Sequence, residues 1–368
     1  MKLPPFKIEQ WMNIYENDAV YNLTDTCVSP LTFRQLTAMD PGDRLHDLKL
    51  DYGVIPGNEA LRKCILSLYQ TGTIDDITLA DGCLHANELI MNTLLESGDQ
   101  VLTFSPGYQQ FSDVPRSLGC EVTEIKLHEE TGWQPELEDI SAAFASHRFR
   151  LVILNMPNNP TGSMLNETIL QALLQYAERC GSYILCDEVY RDPQFPSIAD
   201  LYPLGISTSS LSKLFSLAGL RLGWIKGPRK LIEKINERRD YSMISTGPLR
   251  DTLALIALEN KDQLLCRSRS RIKEDQAVIE QWLKTDPRMS IQMPVSGTVG
   301  FLKYDAPINS EDLARDLLRD TGVFFVPGSC FDCDYHLRLT FTAEPETLRR
   351  GLQLLSGYLT AMGHPCQT

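Results

Sequence analysis

The chain has 368 residues, more than one ordinary core holds, so two domains, or one large α/β domain with a smaller one beside it, are expected. Hydrophobic residues make up 43% and charged residues 23%, a balance that excludes a disordered or fibrous protein. The 35 Lys and Arg against 48 Asp and Glu leave a formal charge of −13, which disfavours nucleic acid and anionic membranes as partners.

The first residues, MKLPPFKIEQWMNIYENDAVYNL, carry no signal-peptide core, and no window approaches the roughly 18 apolar residues of a membrane span. A cytoplasmic location is therefore expected. Ten cysteines are scattered along the chain (Cys27, Cys64, Cys83, Cys120, Cys180, Cys186, Cys266, Cys330, Cys333 and Cys366). In such a context reduced thiols are the expectation. Cys330 and Cys333 form a C-x-x-C, but with no second ligand pair beside it the sequence predicts a loop with two thiols and no metal.

From about residue 60, helical stretches alternate with short apolar runs, the pattern of a mostly parallel sheet with crossover helices. Strands are predicted over 100–104, 121–125, 151–155, 183–187, 206–210 and 222–226, each bounded by Pro, Gly or charge. One helix is predicted from Asn87 to a stop at Gly98, another from the capping Asn166 to Gly181. Residues 249–284 contain no Pro or Gly and read as one or two long helices that link the domains. Beyond them VGFLKYD, VFFVPG and HLRLTFT alternate with NSEDLARDLLRD and PETLRRGLQLLSGYL, the strand and helix mixture of a smaller α/β domain. No internal repeat or low-complexity tract is present.

Four strings could carry chemistry, and each alone has an ordinary explanation. Asn158-Asn159-Pro160-Thr161-Gly162 follows the apolar run LVILNM and is ordinary turn chemistry unless Asn159 points its amide at a ligand. YILCDEVYRD delivers Asp187 and Glu188 at the carboxyl end of a buried strand, where open α/β sheets place ligands. Acids there also cap helices or face solvent. Ser209-Ser210-Leu211-Ser212-Lys213, with Arg221 soon after, offers an amine, hydroxyls and a guanidinium, an inventory suited to a phosphorylated aldehyde. Asp81-Gly82-Cys83-Leu84 opens an apolar helix, whose free N–H groups and dipole favour a phosphate.

Together, and in this order, these strings resemble the class I and II aminotransferases, the fold type I family of pyridoxal 5'-phosphate (PLP) enzymes, over nearly the whole chain. The resemblance implies a large domain with a mostly parallel sheet flanked by helices plus a smaller α/β domain built from both termini. The boundaries expected are 1–46 for an N-terminal segment joining the small domain, 47–255 for the PLP-binding domain and 256–368 for the small domain. It implies a Lys213 aldimine with PLP, Asp187 on the pyridine nitrogen, and Asn159 and Tyr190 on the ring hydroxyl oxygen. Ser210, Arg221 and, more weakly, Ser212 fall where the family holds the phosphate, over Gly82 and the amides of Cys83 and Leu84. Tyr108, in FSPGYQQF, falls where an aromatic ring stacks on the pyridine, its ordinary alternative being a half-buried loop tyrosine.

Tyr52, in Tyr52-Gly53-Val54-Ile55-Pro56-Gly57, matches the segment whose tyrosine reaches the neighbouring subunit's phosphate, which implies a homodimer. Arg338, in HLRLTF, matches the arginine that receives the substrate α-carboxylate, a bidentate task. A surface salt bridge is its ordinary alternative. Asn159 is implied at the substrate as well, and the partners implied are an L-amino acid and a 2-oxo acid. In this reading Lys213 first holds PLP and then serves as general base, and the Asp187 carboxylate keeps the pyridine nitrogen protonated.

The amino-terminal end departs from the family, because Asp25-Thr26-Cys27-Val28-Ser29 stands where a short Gly-containing loop usually closes over the substrate. With Ile8-Glu9-Gln10-Trp11 and Leu31-Thr32-Phe33-Arg34-Gln35-Leu36 it resembles the start of capreomycidine-synthase-type enzymes, which cyclise a hydroxylated arginine on PLP. Two enzyme readings follow, a transaminase and a PLP enzyme that eliminates or cyclises at Cβ. A PLP-binding regulatory module would need a DNA-binding domain, for which there is no room before Tyr52.

Overall fold

The computed structural model describes residues 2–40 and 42–363, so Cys366 lies outside the described residues. Its centre is a seven-stranded sheet in the spatial order Ile77–Ala80, Gly223–Lys226, Gly205–Ser210, Tyr183–Asp187, Phe149–Asn155, Gln100–Ser105, Glu121–Lys126. Only Gly223–Lys226 runs antiparallel to its neighbours. The six strands expected from apolar runs are all present, and Ile77–Ala80 is an additional edge strand that four residues were too few to announce.

Side-chain alternation along these strands sorts the core into two layers, since successive Cβ atoms point to opposite faces. Leu151, Ile153, Leu185, Ile206 and Ile225 pack with Leu89, Ile90, Leu231 and Ile235 on one face. Val152, Leu154, Ile184 and Cys186 pack with Ile140, Phe144, Leu173 and Ala177 on the other. Burying such side chains contributes roughly 1.5–3 kcal/mol each.

The helix expected from Asn87 to Gly98 instead spans Gly82–Leu94. It starts earlier because Gly82 adopts φ +80°, which lets the chain turn directly out of the edge strand. It ends earlier because Leu95 is extended (φ −100°, ψ 139°) and buried against the sheet, leaving Gly98 to the next turn. The second helix follows its signals closely: Glu167–Cys180 is capped by the Asn166 side chain on the Ile169 N–H and closed by Gly181 at φ +66°.

Residues 249–284 fold as two helices, Pro248–Glu259 and Lys261–Leu283. The break is Asn260, whose Nδ2 donates to the Ile256 carbonyl at 2.8 Å and so caps the first helix without Pro or Gly. Lys261–Leu283 places Leu264 and Leu265 in a core with Leu61, Leu79 and Trp224, and Ile279 and Trp282 in another with Phe301, Leu339 and Leu355.

That last core belongs to a four-stranded antiparallel sheet, Val326–Pro327, His336–Thr340, Val299–Tyr304 and Met289–Ile291 in spatial order. The string VFFVPG is therefore not one strand. Val326–Pro327 joins this sheet, while Val323–Phe324 pairs in parallel with Tyr21–Asn22. The first helix, Lys7–Tyr15, docks here through buried Ile8 and Trp11, whose indole Nε1 donates to the Phe325 carbonyl at 2.8 Å. Leu36, by contrast, packs with Leu61 and Trp224. No helix among the described residues is long and apolar enough to cross a membrane.

Candidate active site

The parallel strands end in a cavity of about 500 Å³, roofed by Arg338 of the smaller sheet and by residues of the amino-terminal segment. Alternation decides what faces it. Asp187 continues the face of Leu185 and meets the helix Gly82–Leu94, whereas the next residue, Glu188, turns to the opposite face. Neither is a solvated loop acid, since both are buried.

Glu188 is wholly occupied by structure. It pairs with Arg191 Nε at 2.7 Å and accepts from Ser197 Oγ, the Ile198 N–H and Ser207 Oγ. Asp187, only 6% exposed, accepts from Asn87 Nδ2 at 2.7 Å and from the Val189 N–H at 3.0 Å. Burial pushes its carboxyl above the ordinary range, and these two donors pull it back.

The same alternation treats the serine-rich strand. Ser207 and Ser209 face Glu188, while Thr208 and Ser210 face the cavity side, where Thr208 Oγ1 donates to Asn87 Oδ1 at 2.7 Å. Lys213 follows, beyond the strand. Its Nζ donates to Thr26 Oγ1 at 2.6 Å, lies 3.6 Å from Cys27 Sγ, and stands 5.7 Å from the centre of the buried Tyr190 ring. Burial alone would lower the amine's pKa, but Tyr190 and Cys27, when ionised, outweigh it and hold it above its ordinary value.

At the other end, Arg221 adopts a left-handed backbone (φ +49°), and its guanidinium lies across the start of the helix Gly82–Leu94. A Cβ built on Gly82 would come within 2.9 Å of Arg221 Nη2, so the glycine is what lets the two approach. Cys83, Leu84, Ser210 and Ser212 line the cavity beside them. The first-turn N–H groups here have no intrahelical acceptor.

Arg338 is 4% exposed, so the surface salt-bridge alternative falls away. Its three hydrogen bonds all go to neutral oxygens: Thr24 Oγ1 at 3.1 Å, the Thr24 carbonyl at 3.0 Å and Asn159 Oδ1 at 3.5 Å. Asn159 is itself buried, its N–H held by Asn155 Oδ1 at 2.7 Å. Tyr108 sits in the loop after Gln100–Ser105, half-buried between Phe6 and Phe111, with its hydroxyl 3.4 Å from Glu9.

Lys213, Asp187, Tyr190, Asn159, Ser210, Ser212, Arg221, Arg338, Tyr108, Cys83 and Leu84 thus line one cavity. Tyr52 does not join them; it is 67% exposed on the outer surface. Sequence reasoning passed over Asn87, Thr26 and the wall made by Ile8, Glu9 and Met12. A polar residue inside an otherwise apolar helix was the available signal for Asn87, while the segments that hold Ile8, Glu9 and Thr26 stood out only as a departure from the aminotransferase pattern, without a role for any single residue. Cys330 and Cys333 lie half-buried as free thiols, and no group of three potential metal ligands occurs among the described residues.

Comparison with known proteins follows the same line. The aminotransferase class I and II family matches residues 46–355. Capreomycidine synthase of Streptomyces vinaceus is 28% identical over 96% of this chain and 93% of its own. A probable aspartate/prephenate aminotransferase of Aquifex aeolicus is 28% identical over 84% of this chain and 83% of its own. Among solved structures, a PLP-dependent aminotransferase from Streptococcus suis superposes with a TM-score of 0.93 at 37% identity, covering 98% of both chains. The PLP-dependent cyclase OrfR shares the fold, with a TM-score of 0.89 at 24% identity over 98% of both chains.

Proposed function

The chain belongs to the class I and II aminotransferase family, and from that premise we propose that it moves the amino group of an L-amino acid to a 2-oxo acid, with Lys213 holding the cofactor. The observation that carries the reading is the convergence on one cavity of a half-buried amine, a buried carboxylate and a buried arginine that has no carboxylate partner among the described residues. Pyridoxal 5'-phosphate is the cofactor of this family, and the residues present fit it. Gly82 is the test: its missing Cβ leaves room for Arg221 at the helix start, where an N-terminal dipole, a guanidinium and the Ser210 and Ser212 hydroxyls suit a phosphate.

When bound, the cofactor supplies the electron sink for the charge left on the substrate Cα. Asp187 would hold the proton on the pyridine nitrogen, since each charge stabilises the other and the Asn87 donor keeps the carboxylate oriented. Asn159 and Tyr190 would bind the ring oxygen. Arg338 would clamp the substrate α-carboxylate, a task that its planar fork performs and a lysine would not. Lys213 Nζ would take the proton from Cα and return it, and Tyr108 would cover the ring face. The division into 1–46, 47–255 and 256–368 is part of this proposal.

A homodimer belongs to the same reading. Tyr52 and Val54 are exposed, and the Ser245 hydroxyl donates to the Tyr52 carbonyl at 2.6 Å, which ties them to the segment that carries the exposed Ile244. In a dimer Tyr52 would complete the partner's phosphate site.

The deciding experiment is an absorbance titration of the PLP-loaded protein against a panel of amino acids without any oxo acid. Transamination converts the cofactor to its aminated form in one turnover and releases a 2-oxo acid. An unchanged cofactor would establish the second reading, with a cyclised product that keeps its amino group, or, for elimination at Cβ, an enamine that hydrolyses to a 2-oxo acid and free ammonia. That reading draws support from the amino-terminal wall of Ile8, Glu9, Met12 and Thr26, because the capreomycidine synthase match includes 96% of the chain.

A further inference from the structure

The amino-terminal segment contributes a side chain directly to the lysine. Thr26 Oγ1 accepts from Lys213 Nζ at 2.6 Å, and the Tyr190 ring stands 5.7 Å from the same amine. The segment that carries Thr26 is itself fixed by the smaller sheet and the loops next to it. Arg338 binds the Thr24 side chain and carbonyl, Thr298 Oγ1 donates to the Thr26 carbonyl at 2.7 Å, and Thr342 Oγ1 donates to the Cys27 carbonyl at 2.9 Å. Thr24, Thr298 and Thr342 are all buried, so this is a tied-down segment rather than a surface loop that brushes the amine.

From this geometry we propose that Thr26 is a positioning residue for Lys213: it holds the free amine between the Tyr190 phenol and the Cys27 thiol whenever the amine is not joined to the cofactor. The inference rests on Lys213 being the cofactor lysine. A lysine freed from its covalent partner regains the rotamer freedom of a four-carbon stem, and an amine that must take and return a proton at one atom cannot wander.

A hydroxyl suits the task because it both accepts and donates. It accepts from the ammonium and can donate to the lone pair of the neutral amine, whereas a backbone carbonyl can only accept. The groups that face the amine are Tyr190 from the strand-end turn, Cys27 and Asp25 from the amino-terminal segment, Arg338 from the smaller sheet, and Asp187 and Cys83 across the cavity. Thr26 is the one within hydrogen-bonding distance through a neutral hydroxyl.

The test uses the full-length chain freed of cofactor, with unchanged far-UV circular dichroism. Trace acetylation with acetic anhydride is followed across pH, and the Lys213 peptide is quantified by mass spectrometry. Thr26→Val keeps the shape and removes the acceptor, so the ammonium is destabilised and the Lys213 midpoint falls by about one pH unit, a tenfold change in the acid equilibrium. Lys213 acetylation at neutral pH rises accordingly. Thr26→Ser restores the wild-type midpoint.

In the loaded enzyme, Thr26→Val lowers kcat at least tenfold with KM within twofold, and serine again restores it. If the valine variant does not fold, Thr26→Ala gives the same measurement. A valine or alanine variant whose Lys213 titrates like wild type, or a serine variant that titrates like valine, overturns the inference. Its failure is distinguishable from failure of the functional reading, because Lys213→Ala that still captures PLP covalently would remove the reading itself.

Discussion

Asn87 Nδ2 donates to Asp187 Oδ2 at 2.7 Å, and the Oδ1 of the same amide accepts from Thr208 Oγ1 at 2.7 Å. With Gln110 Oε1 at 3.2 Å on the second amide hydrogen, every polar atom of a fully buried side chain is committed, so its orientation is fixed by what surrounds it. The helix thus presents one donor to the cavity carboxylate, and strand Gly205–Ser210 locks that donor in place.

Asn87→Leu is expected to destabilise the protein by about 2 kcal/mol, because it leaves the Thr208 hydroxyl and one Asp187 oxygen buried without a partner. Urea unfolding checks this. The functional consequence is larger for Asp187→Ala, which should leave PLP bound but nearly inert; near-normal turnover in that variant would remove Asp187 from the cofactor site.

Gly82→Ala is expected to weaken cofactor binding about tenfold, equivalent to about 1.4 kcal/mol. The added Cβ meets the Arg221 guanidinium at 2.9 Å, and φ +80° strains any side chain at this position. Equilibrium dialysis of PLP measures the change. Tight binding with an undisturbed Arg221 would show that the helix start does not hold the phosphate.

Glu188→Gln should behave in the opposite way. Glu188 sits next to Asp187 in sequence but serves Arg191, Ser197 and Ser207 on the far face, and breaking such a buried pair costs about 3–5 kcal/mol. The melting temperature should drop sharply while each folded molecule still binds one PLP. Cofactor loss without loss of stability is the result that would reverse this assignment.

Asp275 gives a pH signature remote from the cavity. It is buried in the helix Lys261–Leu283, and burial pushes its carboxyl from 3.8 up to about 7, against the pull of Arg271. The folded chain then keeps this proton to about pH 7, while the unfolded chain releases it near its ordinary value. This group's contribution to stability is greatest below the lower value, falls as pH rises between the two, and stays low above the upper one. Asp275→Asn should remove that slope and be the more stable protein above neutrality, by on the order of 4 kcal/mol at most. Parallel denaturation curves for both proteins at acid and alkaline pH would disprove it.

Much of this arrangement was legible in the sequence because it is local. Apolar runs ended by Asn155, Asp187 and Ser210 announce strands whose carboxyl ends meet, and Asn166 with Gly181 brackets a helix by capping alone. The order of Gly82, Asn159, Asp187, Lys213, Arg221 and Arg338 along the chain carried the family and its cofactor. Where local signals competed, tertiary packing won: Gly82 displaced Asn87 as helix start, and Asn260 ended a helix with no Gly or Pro to mark it.

What the sequence determined by itself was the set of chemical groups and the period-two strands that carry them, since both depend on neighbours a few residues apart. The tertiary structure alone decided that Asp187 faces the cavity and Glu188 does not, that Arg338 is buried against Thr24, and that Thr26 reaches Lys213. Apart from the Glu188–Arg191 pair, those contacts join residues separated by 100 to 314 positions. No propensity or spacing records such distances, because only the packing of helix Gly82–Leu94 on the large sheet, and of the amino-terminal segment against the smaller one, brings them within hydrogen-bonding range.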